Sequence, residues 1–424
     1  MRALTLSALS LLLATAGCAT APTDRQPVRT AASPVEARTP VTILISIDGF
    51  RPDYIDRGIT PALSRLAVDG TRAAMRPSFP SKTFPNHWAL LTGDRPDRNG
   101  IVSNSMEDPA GRKKKFTMTT EDPWWWNTTP PLWVDAEKAG IRSASMFWPG
   151  SSVGFGGKRA DAWPNDVTGG TRPSDWVPYG EAVTGLQRVD GVIDWMRRPA
   201  ATRPRFVTLY FDIVDTQGHN FGPNSAELNA AVAEVDRDIA HLVDELAALG
   251  QPANLVVVAD HGMAEAPLDK VIPLASLVAP EIGRKVEDGV FATLQPMPGK
   301  EAALAASLSR PHPHIQCWPK AQIPARFHYG TNPRIPPWLC LAEPGWRILA
   351  EPPERQRTGG EHGYDNDAPD MRALFIASGP AFAQGRTLPV FDNVDVYPLL
   401  RQVIGLPPVT TVDGTIAPVR GALR

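Results

Sequence analysis

Short apolar segments rich in β-branched residues recur along this chain and restrict the folds open to it. The clearest, at 41–47, reads VTILISI and shows almost no alternation of apolar and polar residues. Such a strand is buried on both faces, as in a parallel sheet covered by helices. Similar segments follow at 142–147, 205–210, 254–259 and 372–377. With 424 residues, 42% of them hydrophobic, the chain can bury one large sheet.

Helical patterns lie between these strands. The longest predicted helix spans 224–249, where Asn224 and Glu227 form a capping box ahead of apolar residues at helical spacing. Alternating strands and helices predict an α/β fold with a doubly wound, mostly parallel sheet. Ligands of such sheets bind beyond the carboxyl ends of the strands, and Asp48 and Asp260 directly follow strands.

The segment 77–93 is a proline-rich loop that runs into a helix. Pro85 suits the first helical turn, because its missing N–H would have no helical partner there. Thr83 therefore lies at or next to the N-cap, where free backbone N–H groups and the helix dipole favour an anion or an alkoxide. A threonine in this position is more often only a cap, so its chemical role depends on what the rest of the chain brings to it.

Carboxylates and imidazoles recur in short motifs that glycine flanks. They comprise Asp48, Asp215-x-x-Gly-His219, Asp260-His261 and His362. In the second motif, the glycine is expected to let a loop fold so that both ends face one point. Mixed carboxylate and imidazole ligands suit zinc better than Mg²⁺ or Ca²⁺. Six ligands and the Thr83 hydroxyl are too many for one tetrahedral ion and fit two. Each residue alone could instead be a turn or core residue; the prediction depends on the whole set.

The charge balance of such a site favours phosphoryl chemistry. Two divalent ions bring about +4 and three carboxylates about −3, so a threonine alkoxide nearly neutralises the site. A phosphate ester bound between two ions has both its entering and its leaving oxygen stabilised. The remaining histidines are interpreted as structural: His87, His241, His312, His314 and His328.

These motifs resemble those of the nucleotide pyrophosphatase/phosphodiesterase family, within the alkaline phosphatase superfamily. The likeness extends over nearly all of the chain after its first 39 residues. Its motifs are IDGFR at 47–51, KTFPNH at 82–87, the Asp215–His219 motif, DHGM at 260–263, EHGYDN at 361–366 and NVDVY at 393–397. The resemblance implies a sheet of the alkaline phosphatase type.

The resemblance also implies a site and a reaction. Two zinc ions would be held, one by Asp215, His219 and His362, the other by Asp48, Thr83, Asp260 and His261. Thr83 would attack phosphorus in a nucleotide diester or pyrophosphate, and hydrolysis of the phosphothreonyl intermediate would release a nucleoside 5'-monophosphate. Further matches assign a phosphate contact to Asn104 and a nucleobase sandwich to Phe84 and Tyr179. The alternatives are that Asn104 is a simple turn residue and that Tyr179 only packs against its neighbours.

The main alternative is another hydrolase of the same superfamily. A phosphomonoesterase, a phosphonoacetate hydrolase or a choline-headgroup phosphodiesterase would use similar ligands. A monoester carries a second negative charge, and only Lys82 offers a cation beside Thr83, which favours diesters. A non-catalytic binding module is the alternative from another class, and the intact ligand set argues against it.

The first residues have the pattern of an export signal. Met1-Arg2 precedes an apolar run at 3–16 that is too short to span a bilayer, and small residues precede Cys18. We expect a signal peptide at 1–18, lipidation of Cys18, a linker at 19–39 and a periplasmic, lipid-anchored enzyme. Ordinary cleavage near 19–21 is the alternative. The net charge of −2 gives no case for binding duplex nucleic acid, and we expect a monomer.

A long interruption separates the Asp260 motif from the His362 motif. We interpret 266–358 as an inserted subdomain, and 40–265 with 359–424 as the catalytic α/β domain. The insertion contains Cys317 and Cys340, which are predicted to form a disulfide because an exported chain is exposed to an oxidising compartment. A smaller insertion contains Trp124 to Trp126, at least one of which is expected to line a pocket.

Overall fold

The computed structural model describes residues 37–352 and 357–424. Its strands are β1 (Val41–Ile47), β2 (Thr71–Arg76), β3 (Ser143–Met146), β4 (Lys158–Arg159), β5 (Val167–Thr168), β6 (Asp175–Val177), β7 (Phe206–Phe211), β8 (Ala253–Val258), β9 (Ala264–Ala266), β10 (Val271–Pro273), β11 (Gly283–Glu287), β12 (Phe291–Pro296), β13 (Ile315–Pro319), β14 (Trp338–Ala342), β15 (Arg347–Leu349), β16 (Gly359–Glu361), β17 (Ala373–Ser378), β18 (Arg386–Thr387) and β19 (Phe391–Asp392). Its α-helices are α1 (Pro61–Val68), α2 (Thr83–Thr92), α3 (Pro96–Asn99), α4 (Pro123–Trp126), α5 (Leu132–Lys138), α6 (Gly185–Met196), α7 (Ile213–Phe221), α8 (Ala226–Ala248), α9 (Glu301–Leu308) and α10 (Val396–Val403).

One large sheet organises the molecule. Its strand order is β18-β2-β17-β8-β1-β7-β3-β6, with β19 also pairing with β2. The five strands β8, β1, β7, β3 and β6 pair in parallel, whereas β17 pairs antiparallel with both β8 and β2. The prediction of a mostly parallel α/β sheet is confirmed, and the predicted strand at 372–377 is the antiparallel exception.

The centre of the sheet is buried because both of its faces are covered. Every residue of β1 is buried, and β8 has a buried run of five at its carboxyl end. Helix α8 was predicted as one long helix and is one, although its cap differs from the prediction. Ser225, not Asn224, occupies the N-cap, and its side chain accepts a hydrogen bond from the Leu228 N–H. Asn224 is bound instead by Arg57 at 3.3 Å.

The segment interpreted as an insertion contains an antiparallel sheet of its own. That sheet has the order β11-β12-β14-β13, and Cys317 on β13 lies directly opposite Cys340 on β14. The two cysteines form the predicted disulfide. Residues 38–424 form one compact unit, so the division into two domains stays a prediction.

The predictions about the N-terminal leader and linker cannot be compared with the structure. The leader at 1–18, Cys18 and residues 19–36 of the linker lie outside the described part of the chain. Within the described part, no helix combines the length and the apolar character that crossing a bilayer requires.

Candidate functional site

Segments far apart in the sequence meet at the carboxyl end of the large sheet. Asp48 directly follows β1, and Asp260 and His261 are the second and third residues after the neighbouring strand β8. Helix α7, which comes after β7 on the other side of β1, carries Asp215 and His219. The return from the inserted segment ends in β16, and His362 is the next residue. The structure therefore brings together all six of these predicted residues.

The Asp215–His219 motif is helical, which corrects the prediction of a loop folded by Gly218. Both residues lie within α7, and a spacing of four places them on one face of the helix. The His219 Nε2 lies 3.4 Å from an Asp215 carboxylate oxygen. Gly218 packs against Met263 instead: a Cβ at residue 218 would lie 2.8 Å from the terminal methyl of Met263, which would have to shift.

The ligand atoms form two clusters that share one histidine. Atoms of Asp48, Asp260 and His261 lie within 4.8 Å of one another, and so do atoms of Asp215, His261 and His362. His219 is adjacent, with its ring centroid 4.9 Å from that of His362. Divalent ions are bound by such sets of carboxylates and imidazoles.

Backbone carbonyls orient the three imidazoles and fix which ring nitrogen carries the proton. The Nδ1 atoms of His219, His261 and His362 lie 3.0, 2.9 and 2.8 Å from the carbonyl oxygens of Gly360, Gly262 and Ser81. Because a carbonyl oxygen only accepts, each Nδ1 must donate, which leaves the Nε2 lone pair as the ligand atom.

The three carboxylates of the site each have a buried oxygen without a hydrogen bond in the described part of the chain. One oxygen each of Asp48, Asp215 and Asp260 is buried and accepts no hydrogen bond from any described residue. Buried carboxylate oxygens are normally paired, and a bound cation would satisfy all three. These residues therefore fit divalent ions.

The pKa shifts at the site also fit binding of a divalent cation. Burial, followed by the charges of Asp260 and Asp215, raises the pKa of Asp48 well above its usual value. Burial also raises the pKa of Asp215. For Asp260, burial is outweighed by His261 and His87, which lower its pKa to about 2. Burial lowers the pKa of His362 and so favours the neutral imidazole that binds a metal. Carboxylates this close repel one another until a cation neutralises them.

Thr83 is the first residue of α2, next to the N-cap position that Lys82 occupies, as predicted. Its Oγ1 lies 3.4 Å from the His261 Nε2, so it contacts the ligand cluster. The Asn104 Oδ1 accepts a hydrogen bond of 2.9 Å from the Phe84 N–H, one residue further on. The Asn104 Nδ2 has no hydrogen-bond partner among the described residues, and the bond to Phe84 places this donor at the start of α2.

Aromatic rings flank the start of α2. Phe84 packs against Phe116 and Trp126, with ring centroids 6.0 and 5.9 Å away. Tyr179 is 52% exposed, and its hydroxyl donates to Asp212 at 2.9 Å. Among the described ring contacts there is none between Phe84 and Tyr179, so the nucleobase sandwich stays a prediction. Trp124 to Trp126 lie in α4, not in a loop, and only Trp124 is partly exposed.

Two residues outside the predicted ligand set contact residues of the site. His87, interpreted only as structural, is buried on α2 with Nδ1 2.8 Å from the Thr83 carbonyl and 3.5 Å from Asp260. Its spacing of four from Thr83 on a predicted helix was the available signal. Tyr210, near the end of β7, donates to the Asp48 Oδ2 at 2.6 Å, and no pattern in the sequence pointed to it.

Known proteins resemble this chain over most of its length. Residues 42–365 match the family model described as "Type I phosphodiesterase / nucleotide pyrophosphatase". A bis(5'-adenosyl)-triphosphatase, enpp4 of Xenopus laevis, is 34% identical over 378 residues, which cover 88% of this chain and 79% of that protein. Ectonucleotide pyrophosphatase/phosphodiesterase family member 1 of Mus musculus is 35% identical. The matched region covers 88% of this chain but only 42% of the mouse relative, so this chain spans less than half the length of that protein.

Solved structures of related proteins have a fold similar to that of this chain. Human ectonucleotide pyrophosphatase/phosphodiesterase 5 superposes with a TM-score of 0.83 at 29% identity, covering 91% of this chain and 100% of that chain. An inactive variant of the murine protein, solved in complex with AMP, has the same TM-score. The family model, the curated relatives and the superposed folds agree with the motifs around Thr83, and this chain belongs to the type I phosphodiesterase / nucleotide pyrophosphatase family.

Proposed function

We propose that this chain hydrolyses phosphodiester and pyrophosphate bonds of nucleotides and releases nucleoside 5'-monophosphates. The observation that carries the proposal is the position of the Thr83 hydroxyl, at a helix start and 3.4 Å from the His261 Nε2 in a cluster of carboxylates and imidazoles. The family relatives named for nucleotide hydrolysis and the AMP complex of murine member 5 support nucleotides as the substrate class.

Two zinc ions would be held by the ligand sets that the resemblance implies, Asp215, His219 and His362 for one and Asp48, Thr83, Asp260 and His261 for the other. Such ions supply positive charge that lowers the pKa of a nearby hydroxyl and neutralises charge on the reacting phosphate. The chain's own residues perform the remaining tasks.

Thr83 is the proposed nucleophile. Its oxygen bonds to phosphorus as the bond to the leaving oxygen breaks, which gives a phosphothreonyl ester of the nucleotide. Water then cleaves that ester, releases the nucleoside 5'-monophosphate and restores the hydroxyl. The N-terminal N–H groups of α2 favour negative charge on the threonine oxygen. The Asn104 Nδ2 is placed to donate to a non-bridging phosphate oxygen, and Phe84 and Tyr179 are the proposed stacking partners of the base.

The experiment compares bis-nitrophenyl phosphate, a diester, with nitrophenyl phosphate, a monoester, for the wild type and Thr83→Ala. We expect the wild type to prefer the diester and Thr83→Ala to lose about three orders of magnitude or more in kcat, because the nucleophile is absent. Thr92→Ala is the matched control, since Thr92 ends the same helix and its hydroxyl donates only within the helix end, to Trp88 and Asp94 carbonyls.

Two results would contradict the proposal. A preference for the monoester would favour the alternative hydrolases of the superfamily. Full activity in Thr83→Ala would exclude the phosphothreonyl step. Export to the periplasm, lipidation of Cys18, a monomeric state and the division at 266–358 also belong to the proposal; labelling with a fatty acid, compared between wild type and Cys18→Ser, tests the anchor.

A further inference from the structure

The loop that carries Asn104 has no regular structure of its own. It follows α3, and residues 101–105 belong to neither a helix nor a strand. Local hydrogen bonds reach only its first part, from the Ile101 N–H to Asn99 and from the Val102 N–H to the Met106 sulfur. An irregular segment of this kind keeps one conformation only where other parts of the molecule contact it.

The inserted segment supplies those contacts at three successive points. The Arg334 Nη1 donates to the Gly100 carbonyl at 2.7 Å, and the Tyr329 hydroxyl donates to the Val102 carbonyl at 3.1 Å. The Ser103 hydroxyl donates to the Glu287 Oε2 at 2.5 Å. The last contact lies on the residue directly before Asn104.

Aromatic neighbours hold Tyr329 and Arg334 in place. Tyr329 is buried, and its ring packs edge-on against Phe79. Arg334 lies beside the Trp124 and Trp125 rings, 4.9 Å from each centroid, and it also donates to the carbonyls of both residues. A planar guanidinium that makes several such bonds loses little further entropy on forming each one. The loop is thus joined to the inserted segment through one buried and two partly buried hydrogen bonds.

We propose that the inserted segment positions Asn104 for phosphate binding, with Glu287, Tyr329 and Arg334 as positioning residues that act through the Gly100–Asn104 loop. This inference rests on the phosphate contact of Asn104 in the proposed function. The Asn104 Oδ1 is already bonded to the Phe84 N–H, so only the Nδ2 remains to meet the substrate. A donor aimed at developing charge acts within a narrow distance, and a displacement of about 1 Å can cost about a hundredfold in rate.

The test removes two of the contacts with the smallest possible changes. Tyr329→Phe deletes one hydroxyl and keeps the ring, and Ser103→Ala deletes the bond to Glu287. We expect the double variant to lose about tenfold in kcat on bis-nitrophenyl phosphate, with KM changed less, because the displaced donor acts in the transition state. If the double variant fails to fold, each single variant is expected to show part of the same loss.

A double-mutant cycle with Asn104→Ala separates positioning from a general structural role. Asn104→Ala alone should lower kcat by about a hundredfold. Adding the Tyr329→Phe and Ser103→Ala changes to Asn104→Ala should then cost less than about twofold more, because the group that they position is gone. Tyr397→Phe is the matched control: it removes a buried tyrosine hydroxyl bonded to Arg401 at 2.9 Å, and its kcat should equal that of the wild type.

The possible failures are distinguishable. A tenfold loss that persists in the Asn104→Ala background overturns the inference, as does full activity in the double variant. Wild-type activity in Asn104→Ala, with Thr83→Ala inactive, removes the phosphate contact of Asn104 and this inference with it but leaves the nucleophile in place. Activity in Thr83→Ala is the separate result that overturns the proposed function itself.

Discussion

Single residues of the site are oriented by neighbours that do not belong to the ligand set. Backbone carbonyls hold the Nδ1 side of the three imidazoles, and the Tyr210 hydroxyl holds one oxygen of Asp48, leaving the other buried and without a hydrogen bond from any described residue. Such outer contacts direct the lone pairs of a ligand at the ion and are often as important as the ligands themselves.

The change Tyr210→Phe tests this arrangement. Removing the hydroxyl leaves the Asp48 Oδ2 without its donor at 2.6 Å, so the carboxylate loses its fixed orientation. We expect zinc affinity to fall by about ten- to a hundredfold, measured by competition with a chromogenic chelator. Tyr54→Phe is the matched control, because the buried Tyr54 hydroxyl has no hydrogen-bond partner among the described residues. Equal affinities for the two variants would contradict the role of Tyr210.

At the scale of elements, the helical repeat places pairs of site residues on the same face of a helix. Asp215 and His219 share a face of α7 through their spacing of four, and Thr83 and His87 have the same spacing on α2. Close packing at the turn after β1 demands a glycine, since Gly49 has φ of +69° and a Cβ there would lie 3.1 Å from Asp215.

Helix α8 carries a buried carboxyl whose ionisation should oppose folding. Burial raises the pKa of Asp238 to about 6, above its ordinary value of 3.8. The folded state therefore binds more protons than the unfolded state between those values, and stability falls as the pH rises through this window. We expect Asp238→Asn to raise the free energy of unfolding by about 1 to 3 kcal/mol above pH 6.

Urea unfolding of Asp238→Asn and the wild type at several pH values measures this effect. Below about pH 3 the Asp238 carboxyl is protonated in both the folded and the unfolded state, so the two proteins should have nearly the same stability there, which serves as the internal control. A stability difference that does not change with pH would show that the substitution acts through packing and not through the charge.

On the scale of the whole molecule, folding gathers carboxylates that repel one another. Asp48, Asp215 and Asp260 come from three different parts of the chain and meet in a buried site. Their repulsion and desolvation weaken the folded state until a cation binds. A ligand that binds only the folded state stabilises it by mass action.

Removal of the metal should therefore affect both activity and stability. We expect dipicolinate or EDTA to abolish hydrolysis of bis-nitrophenyl phosphate and to lower Tm by several degrees, since each tenfold of lost saturation removes about 1.4 kcal/mol. Added Zn²⁺ should restore both. Undiminished turnover in fully chelated enzyme would exclude the dizinc site, and a Tm that does not respond to chelation would show that the ions do not couple to folding.

The sequence alone was enough for the central strands of the large sheet and for the residues that meet at its edge, but it did not predict the outer strands β2, β6, β18 and β19. Apolar β-branched runs and helical spacing are local signals, because a buried strand or helix face must be apolar whatever surrounds it. They placed β1, β7 and β8 to within a residue, and the motifs selected Thr83 and the six predicted ligand residues. Two predictions were wrong: Asn224 as the N-cap of α8, and a loop at 215–219. In both places the local sequence is compatible with more than one structure.

Tertiary structure alone decided the contacts between remote segments. Neither the hydroxyl of Tyr210 on Asp48 nor the bonds from Tyr329 and Arg334 to the Asn104 loop leave a periodic trace in the sequence. A single hydrogen bond depends on where two distant backbones come to lie, and that position results from the packing of the whole chain. Local patterns therefore determined which residues could do chemistry, and only the folded chain determined how each of them is aimed.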